Sequence, residues 1–245
     1  MRNIRLTVSY LGRGFKGWQR QKSGLTVQGE LENALAKIIG EPVAVNGAGR
    51  TDAGVNAREQ VANFLTSSSI PPDRLVRGLN AVLPDDIVVT GAADVDLAWR
   101  ARKSARWREY EYLIWNRPFP DLFLKDIAVH VAKPLDVAAM KRSLDAVKGR
   151  HDWRAFCVAS SAPKGCERIV KEVELDEPQI GLVRLTVRAD GFVHKMVRSL
   201  AGTVIEVGLG RQDEGIIREM LRSGDRKLAG RTAPARGLTL TRIGY

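Results

Sequence analysis

The sequence predicts an α+β fold built from two related units, and three observations lead there. Residues 1–100 alternate strand and helix patterns in the order βαββαβ, the later residues repeat the same ingredients less regularly, and no low-complexity linker lies between them. We therefore expect an N-terminal unit over 1–100 and a C-terminal unit over 101–245, held as one rigid body with a cleft. The order βαββαβ is that of a ferredoxin-like unit, an antiparallel sheet with helices on one face. The RNA recognition motif uses the open face of such a sheet to hold nucleic acid.

Each element has its own signal. Ile4, Leu6, Val8 and Tyr10 alternate with Arg5, Thr7 and Ser9, the period-two pattern of a half-buried strand. A glycine-rich loop follows from Gly12 to Gly17, and from Thr26 the period changes. Val27, Leu31, Ala34, Leu35, Ile38 and Ile39 share a helical face, with Thr26 suited to cap its start and Gly40 its end. Val43 and Val45 open a predicted strand, and Val61 to Leu65 form the next. Pro71 and Pro72 fit a helix entry, Leu75, Leu79 and Val82 supply its apolar face, and Pro84-Asp85-Asp86 ends it before a strand from Ile87 to Thr90. In the second unit, strands are expected at 106–115, 128–131, 169–175, 182–189 and 238–243. Helices are expected from Asp136 to Gly149, from Val193 to Val207 and from Glu214 to Leu221.

Composition narrows the partner. Thirty-nine Lys and Arg against 28 Asp and Glu give a formal net charge of +11, which favours a polyanion such as nucleic acid and salt-dependent binding. A solvated basic surface is the plainer reading of the same charge. Cys157 and Cys166 lack CxxC spacing and fit a reducing compartment, and no apolar signal core or membrane-length run is present, so a cytoplasmic protein without membrane attachment is expected. His130, His151 and His194 have no ligand spacing, so no metal site is expected, and no GxSxG elbow is present.

The richest chemical signal is Gly47-Ala48-Gly49-Arg50-Thr51-Asp52-Ala53-Gly54-Val55, which sets one carboxylate among small residues beside a guanidinium. Glycines there suggest a loop of positive φ or close approach that presents Arg50 and Asp52. It is no dinucleotide fingerprint, because Asp52 stands where the third glycine of GxGxxG would be, and no P-loop Gly-Lys-Ser/Thr follows. A lone Asp in a turn is also a common cap, but Arg50 can hold it ionised as a nucleophile or base. A second cluster is Gly191-Phe192-Val193-His194-Lys195-Met196-Val197-Arg198. If the helix begins at Val193, His194 and Arg198 share a face and, with Lys195, leave a basic helix start suited to phosphate, or simply a solvated face beside a core stripe. In Arg108-Glu109-Tyr110-Glu111-Tyr112, the two tyrosines point to one side of a strand, either to stack on a base or to pack in the core.

These residues together resemble the tRNA pseudouridine synthase A family over nearly the whole length. The matching segments include Tyr10-Leu11-Gly12, Gly17-Trp18-Gln19-Arg20-Gln21, Thr26 to Glu32, Gly47 to Val55, Ala101 to Ala105, Tyr110-Glu111-Tyr112, His151-Asp152-Trp153, Phe192 to Arg198 and Ala233 to Leu238. The resemblance implies a cofactor-free, metal-free, homodimeric isomerase that turns uridine into pseudouridine at positions 38, 39 and 40 of the tRNA anticodon stem-loop. It further implies two ferredoxin-like halves sharing one extended sheet, with the active site in the cleft between them. By the same resemblance Asp52 is the catalytic aspartate, Arg50 positions or flips the target nucleotide, Tyr110 stacks on the uracil, and Arg198 pairs with the aspartate; His194 and Lys195 are candidate RNA contacts. The chain departs from the family pattern at Asn56, where histidine is expected and which suggests a change in RNA positioning, at Arg58-Glu59, which replaces a more neutral pair, and at Trp99, Lys103, Trp107 and Glu109, which are unusual in their segment; Glu109 and Glu111 also put negative charge beside Tyr110. A tRNA-binding module without catalysis would need charge and stacking but no acid facing RNA. A nuclease or glycosidase would call for a metal cluster or further acids.

Overall fold

The computed structural model describes residues 1–157 and 165–245. They form two compact units, Met1–Arg106 with Leu240–Tyr245, and Trp107–Thr239.

In the first unit, β1 (Arg2–Tyr10) is the middle strand, antiparallel to both β3 (Asn56–Thr66) and β4 (Ile87–Val95), and the two-residue β2 (Asn46–Gly47) pairs with β3. The alternation read from the sequence has the expected result: Ile4, Leu6, Val8 and Tyr10 are buried while Arg5 is exposed. Helix α1 (Val27–Ile39) starts where the Thr26 side chain accepts the Gly29 N–H, and stops at Gly40, whose N–H still bonds the Ala36 carbonyl while its φ of 85° turns the chain out of the helix. Helix α2 (Pro72–Val82) buries Leu75 and Leu79. Val82, expected on that face, is 43 % exposed because the helix ends there. The Asn80 amide holds both the N–H and the carbonyl of Val89, each at 2.8 Å, and so fastens α2 to β4. Residues 43–45, expected as strand, carry no regular structure, and pairing begins only at Asn46.

The second unit contains β5 (Trp107–Trp115), β6 (Val129–His130), α3 (Val137–Ser143), β7 (Gly149–Asp152), β8 (Glu167–Gln179), β9 (Leu182–Ala189), α4 (Met196–Gly208) and α5 (Ile216–Ser223). Its strands run in the order β5-β9-β8-β7, antiparallel between neighbours, with β6 parallel to the end of β5. Val183, Leu185, Val187 and Ala189 of β9 are buried, and Tyr112 and Tyr110 of β5 stand opposite Leu185 and Val187 on that same face. β10 (Leu238–Gly244) begins in this unit and ends in the first, next to β3 in strand order.

Helix α5 lies two residues beyond its expected bounds, and the end of α3 and the start of α4 differ more from expectation. α3 stops at Ser143, with Asp136 capping it as anticipated by accepting the Ala139 N–H, and the chain turns to Gly149 without helix. α4 begins at Met196, not at Val193, because Lys195 takes a left-handed conformation with φ of 64° that a continuing helix cannot contain.

Candidate active site

The loop carrying Asp52 is built by contacts on both sides of it. On the entering side, Ala48 N–H donates to the Val61 carbonyl at 2.8 Å. The Gln60 amide then engages Gly49 twice, accepting its N–H at 3.3 Å and donating to its carbonyl at 2.8 Å. Thr51 is buried, its hydroxyl 2.8 Å from the Tyr10 hydroxyl, and its carbonyl accepts the Trp18 N–H at 3.0 Å. On the leaving side, Val55 N–H closes a turn onto the Asp52 carbonyl at 3.1 Å, with Gly54 at φ of 77° in the position that a type II turn reserves for glycine. Arg50 is exposed and Asp52 half-exposed, so the backbone on either side is anchored while these two side chains meet solvent.

The glycines of the motif do two different jobs. Of Gly47, Gly49 and Gly54, all read as candidates for positive φ, only Gly54 has it. Gly47 is needed for space, since a Cβ there would lie 2.5 Å from the indole of Trp18. Burial pushes the Tyr10 phenol up to about 12, with its bonds to Thr51 and Gln60 acting the other way, so the hydroxyl stays protonated at neutral pH.

The second unit holds the other expected site residues. Tyr110 is 7 % exposed, its ring edge-on to Phe192 at 4.8 Å. Tyr112 is fully buried and donates its hydroxyl to the Pro234 carbonyl at 2.9 Å; burial raises its phenol, and the positive charges of Arg198 and Arg236 oppose the rise. Arg198 donates through Nε to the Ala233 carbonyl at 2.8 Å, while Ala233 N–H returns a bond to the Arg198 carbonyl at 3.0 Å. The segment from Ala233 to Gly237 thus touches both Arg198 and Tyr112, and a Cβ on Gly237 would meet the Tyr112 ring at 2.7 Å.

His194 and Arg198 do not share a helical face, because His194 precedes the left-handed residue that starts α4. His194 is exposed and its backbone N–H bonds to Cys157, whose thiol burial pushes up. Lys195 is half-buried and carries the one positive φ among the described non-glycine residues, a local strain of the kind concentrated at functional sites.

Two departures from the family pattern acquire structural explanations. Asn56 is 2 % exposed and its Oδ1 accepts the Gly12 N–H at 2.7 Å, so it clamps the exit of β1 against the loop and is too buried to touch RNA. Glu109 and Glu111 lie on the sheet face opposite Tyr110 and meet arginines of β9 there: Glu109 is 2.6 Å from Arg188, and Glu111 is 4.0 Å from Arg184. Their charge is therefore balanced across the strands. The sequence reading passed over Tyr10, Gln60 and Asn56 as supports of the loop. Gln60 carried a usable signal, a polar side chain at an inward position of a strand.

Among the described residues no group of three His, Cys, Asp or Glu side chains is placed to hold a metal ion, and no helix is long and apolar enough to cross a membrane.

A family model described as tRNA pseudouridine synthase matches residues 6–102 and 144–245. Named tRNA pseudouridine synthase A, a protein of Acetivibrio thermocellus is 42 % identical over the full length of both chains, and one of Brevibacillus brevis is likewise 42 % identical over all of both. A protein of the same name from Rippkaea orientalis is 42 % identical across 99 % of this chain and 83 % of its own. Among solved structures, a chain of a Cbf5-Nop10-Gar1 complex is similar at 16 % identity and a TM-score of 0.40, covering 97 % of this chain and 49 % of that one, so this chain spans about half its length. On the strength of the family model and the full-length relatives, the chain belongs to the tRNA pseudouridine synthase family and is an isomerase.

Proposed function

We propose that this enzyme converts uridine to pseudouridine at positions 38, 39 and 40 of the tRNA anticodon stem-loop, with Asp52 as the essential catalytic group and without cofactor or metal. The observation that carries the reading is the presentation of Asp52: a carboxylate reaching solvent from a loop whose neighbours Gly49, Thr51 and Val55 are each tied down. The reaction breaks the bond from ribose C1′ to N1 of uracil, turns the freed base and joins C1′ to C5. A carboxylate serves such a reaction as a nucleophile at C1′, or as a base that takes a ribose proton and leaves a glycal-like species. The target nucleotide has to leave its stack for either route.

In this reading Arg50 positions the displaced nucleotide, Tyr110 offers its ring to the uracil, Arg198 brings a guanidinium to the reaction, and His194 and Lys195 contact the RNA backbone. The bonds from Arg198 to Ala233 support a fixed guanidinium, and the +11 net charge supports a polyanionic substrate. In this reading both units are ferredoxin-like halves. The strand order β4-β1-β3 with β2 beyond it supports this for the first. We place the enzyme in the cytoplasm, as a homodimer.

The test uses unmodified tRNA transcripts carrying uridines at different anticodon-arm positions, with pseudouridine mapped chemically. Asp52→Ala should abolish product while tRNA affinity stays within about tenfold, since phosphate contacts dominate binding. Substantial residual turnover would remove Asp52 from its role. Product outside positions 38–40 would overturn the assigned substrate site.

A further inference from the structure

We propose that Tyr10, Thr51 and Gln60 form a positioning network that sets the backbone on both sides of Arg50, and thereby the aim of Asp52; the inference rests on the assignment of Asp52 as the catalytic acid. Gln60 fixes Gly49 through two bonds, at 3.3 Å from its N–H and 2.8 Å to its carbonyl. The same amide nitrogen lies 3.4 Å from the Tyr10 hydroxyl, which is 2.8 Å from the hydroxyl of Thr51. Arg50 is thus bracketed by two residues held by one buried chain of hydrogen bonds, and Asp52 is the next residue along.

None of the three side chains reaches solvent well: Gln60 is 0 %, Tyr10 4 % and Thr51 6 % exposed, so their effect on substrate must pass through the loop. A polar chain buried in a sheet costs desolvation unless each member is satisfied, which makes it a stiff two-sided clamp rather than a contact surface. β1 and β3 pair antiparallel with Val8 opposite Gln60, and the register shifts between Val8 and Tyr10. That shift accompanies the arrival of Tyr10 at the network beside Gln60. A bulge that redirects a side chain next to a reactive loop is a recognised use of such irregularity.

The network predicts a rate effect separate from an affinity effect, because it aims a reacting group that contributes little to holding RNA. Thr51→Val keeps the shape and removes the hydroxyl, Thr51→Ser keeps the hydroxyl, and Tyr10→Phe removes the partner. Single-turnover rates are measured at saturating enzyme on a tRNA transcript, with tRNA Kd by filter binding and folding by thermal unfolding, and Asp52→Ala run in parallel. Thr51→Val and Tyr10→Phe should lose roughly ten- to a hundredfold in rate with Kd within about twofold, while Thr51→Ser stays within about threefold of the parent enzyme. Wild-type rates in folded Thr51→Val and Tyr10→Phe beside an inactive Asp52→Ala would overturn the network and leave Asp52 in place. A rate loss in Thr51→Ser equal to that in Thr51→Val would overturn it too, since packing and not the hydroxyl would then matter. An active Asp52→Ala would instead refute the assignment of the acid. Should Tyr10→Phe unfold, Gln60→Glu, which keeps an acceptor for Gly49 but loses the donor, reads the same split.

Discussion

Replacing Gly17 with alanine should push the Asp52 loop directly. Gly17 sits at φ of 92°, and a Cβ there would stand 2.6 Å from the Thr51 carbonyl oxygen and 3.0 Å from the Asp52 carbonyl carbon. A carbon–oxygen contact relaxes near about 3.3 Å, so the Thr51 carbonyl has to withdraw by roughly 0.7 Å. The left-handed backbone adds about 1–2 kcal/mol of strain, and loss of the bond from Trp18 N–H to that carbonyl adds about 1 kcal/mol. At about 2–4 °C per kcal/mol for a chain of this size, Tm should fall by roughly 4–12 °C. The displacement approaches the 1 Å that commonly costs about a hundredfold, so the single-turnover rate of pseudouridine formation should fall roughly ten- to a hundredfold. Gly14 supplies the control: its φ is 82°, but no atom lies within 4 Å of a Cβ placed there. Gly14→Ala therefore bears the strain without the push, and should lower Tm by roughly 2–8 °C at an unchanged rate. Equal single-turnover rates for the two folded variants would refute the claim that the Gly17 contact sets the position of Asp52.

Three further outcomes follow from other parts of the molecule. Thr26→Ala removes the acceptor for the Gly29 N–H at the start of α1 and should cost about 1 kcal/mol, seen as a Tm lower by roughly 2–4 °C with turnover unaffected; an unchanged Tm would deny the cap. The phenol of Tyr10 is raised in the folded state from 10.0 to about 12, so the unfolded chain ionises first and folding stability falls as pH climbs from about 10 towards 12, by roughly 3 kcal/mol in all. Urea titrations should show the stability gap between the wild type and Tyr10→Phe narrowing by about 2 kcal/mol from about pH 9.5 to 11.5, and a constant gap would contradict the assignment. Arg188 joins Glu109 at 2.6 Å and Glu172 at 2.7 Å and covers the Trp107 ring at 4.6 Å, so Arg188→Met should destabilise by about 1–2 kcal/mol. Adding Glu109→Gln should recover part of that loss, and simple additivity of the two changes in a double-mutant cycle would show that the pair is not coupled.

What could be read from the linear chain was local in origin. The period-two burial of Ile4 to Tyr10, the Thr26 cap, the Gly40 stop, the Pro72 entry and the Asp136 cap all depend on residues within a few positions, and each is found in place. The failure at the start of α4 is of another kind. Val193 continues the helical apolar spacing of Met196, Val197 and Leu200, and nothing in that spacing announces that Lys195 will take a left-handed conformation, which persists only where surrounding structure over-determines it.

The sequence by itself determined the α+β class, the glycine-framed acid and the resemblance that named its chemistry, because propensity, periodicity and motif spacing are properties of neighbouring residues. Only the tertiary structure decided how that acid is presented. Tyr10 stands far from Thr51 along the chain and becomes its partner only when β1 and β3 pair, and Gln60 reaches Gly49 only when β2 pairs with β3. The same is true of Asn56 against Gly12, of Arg198 against Ala233, and of the glutamates that β9 neutralises. Hydrogen bonds of this kind depend on distance and direction in three dimensions, and strand register sets both.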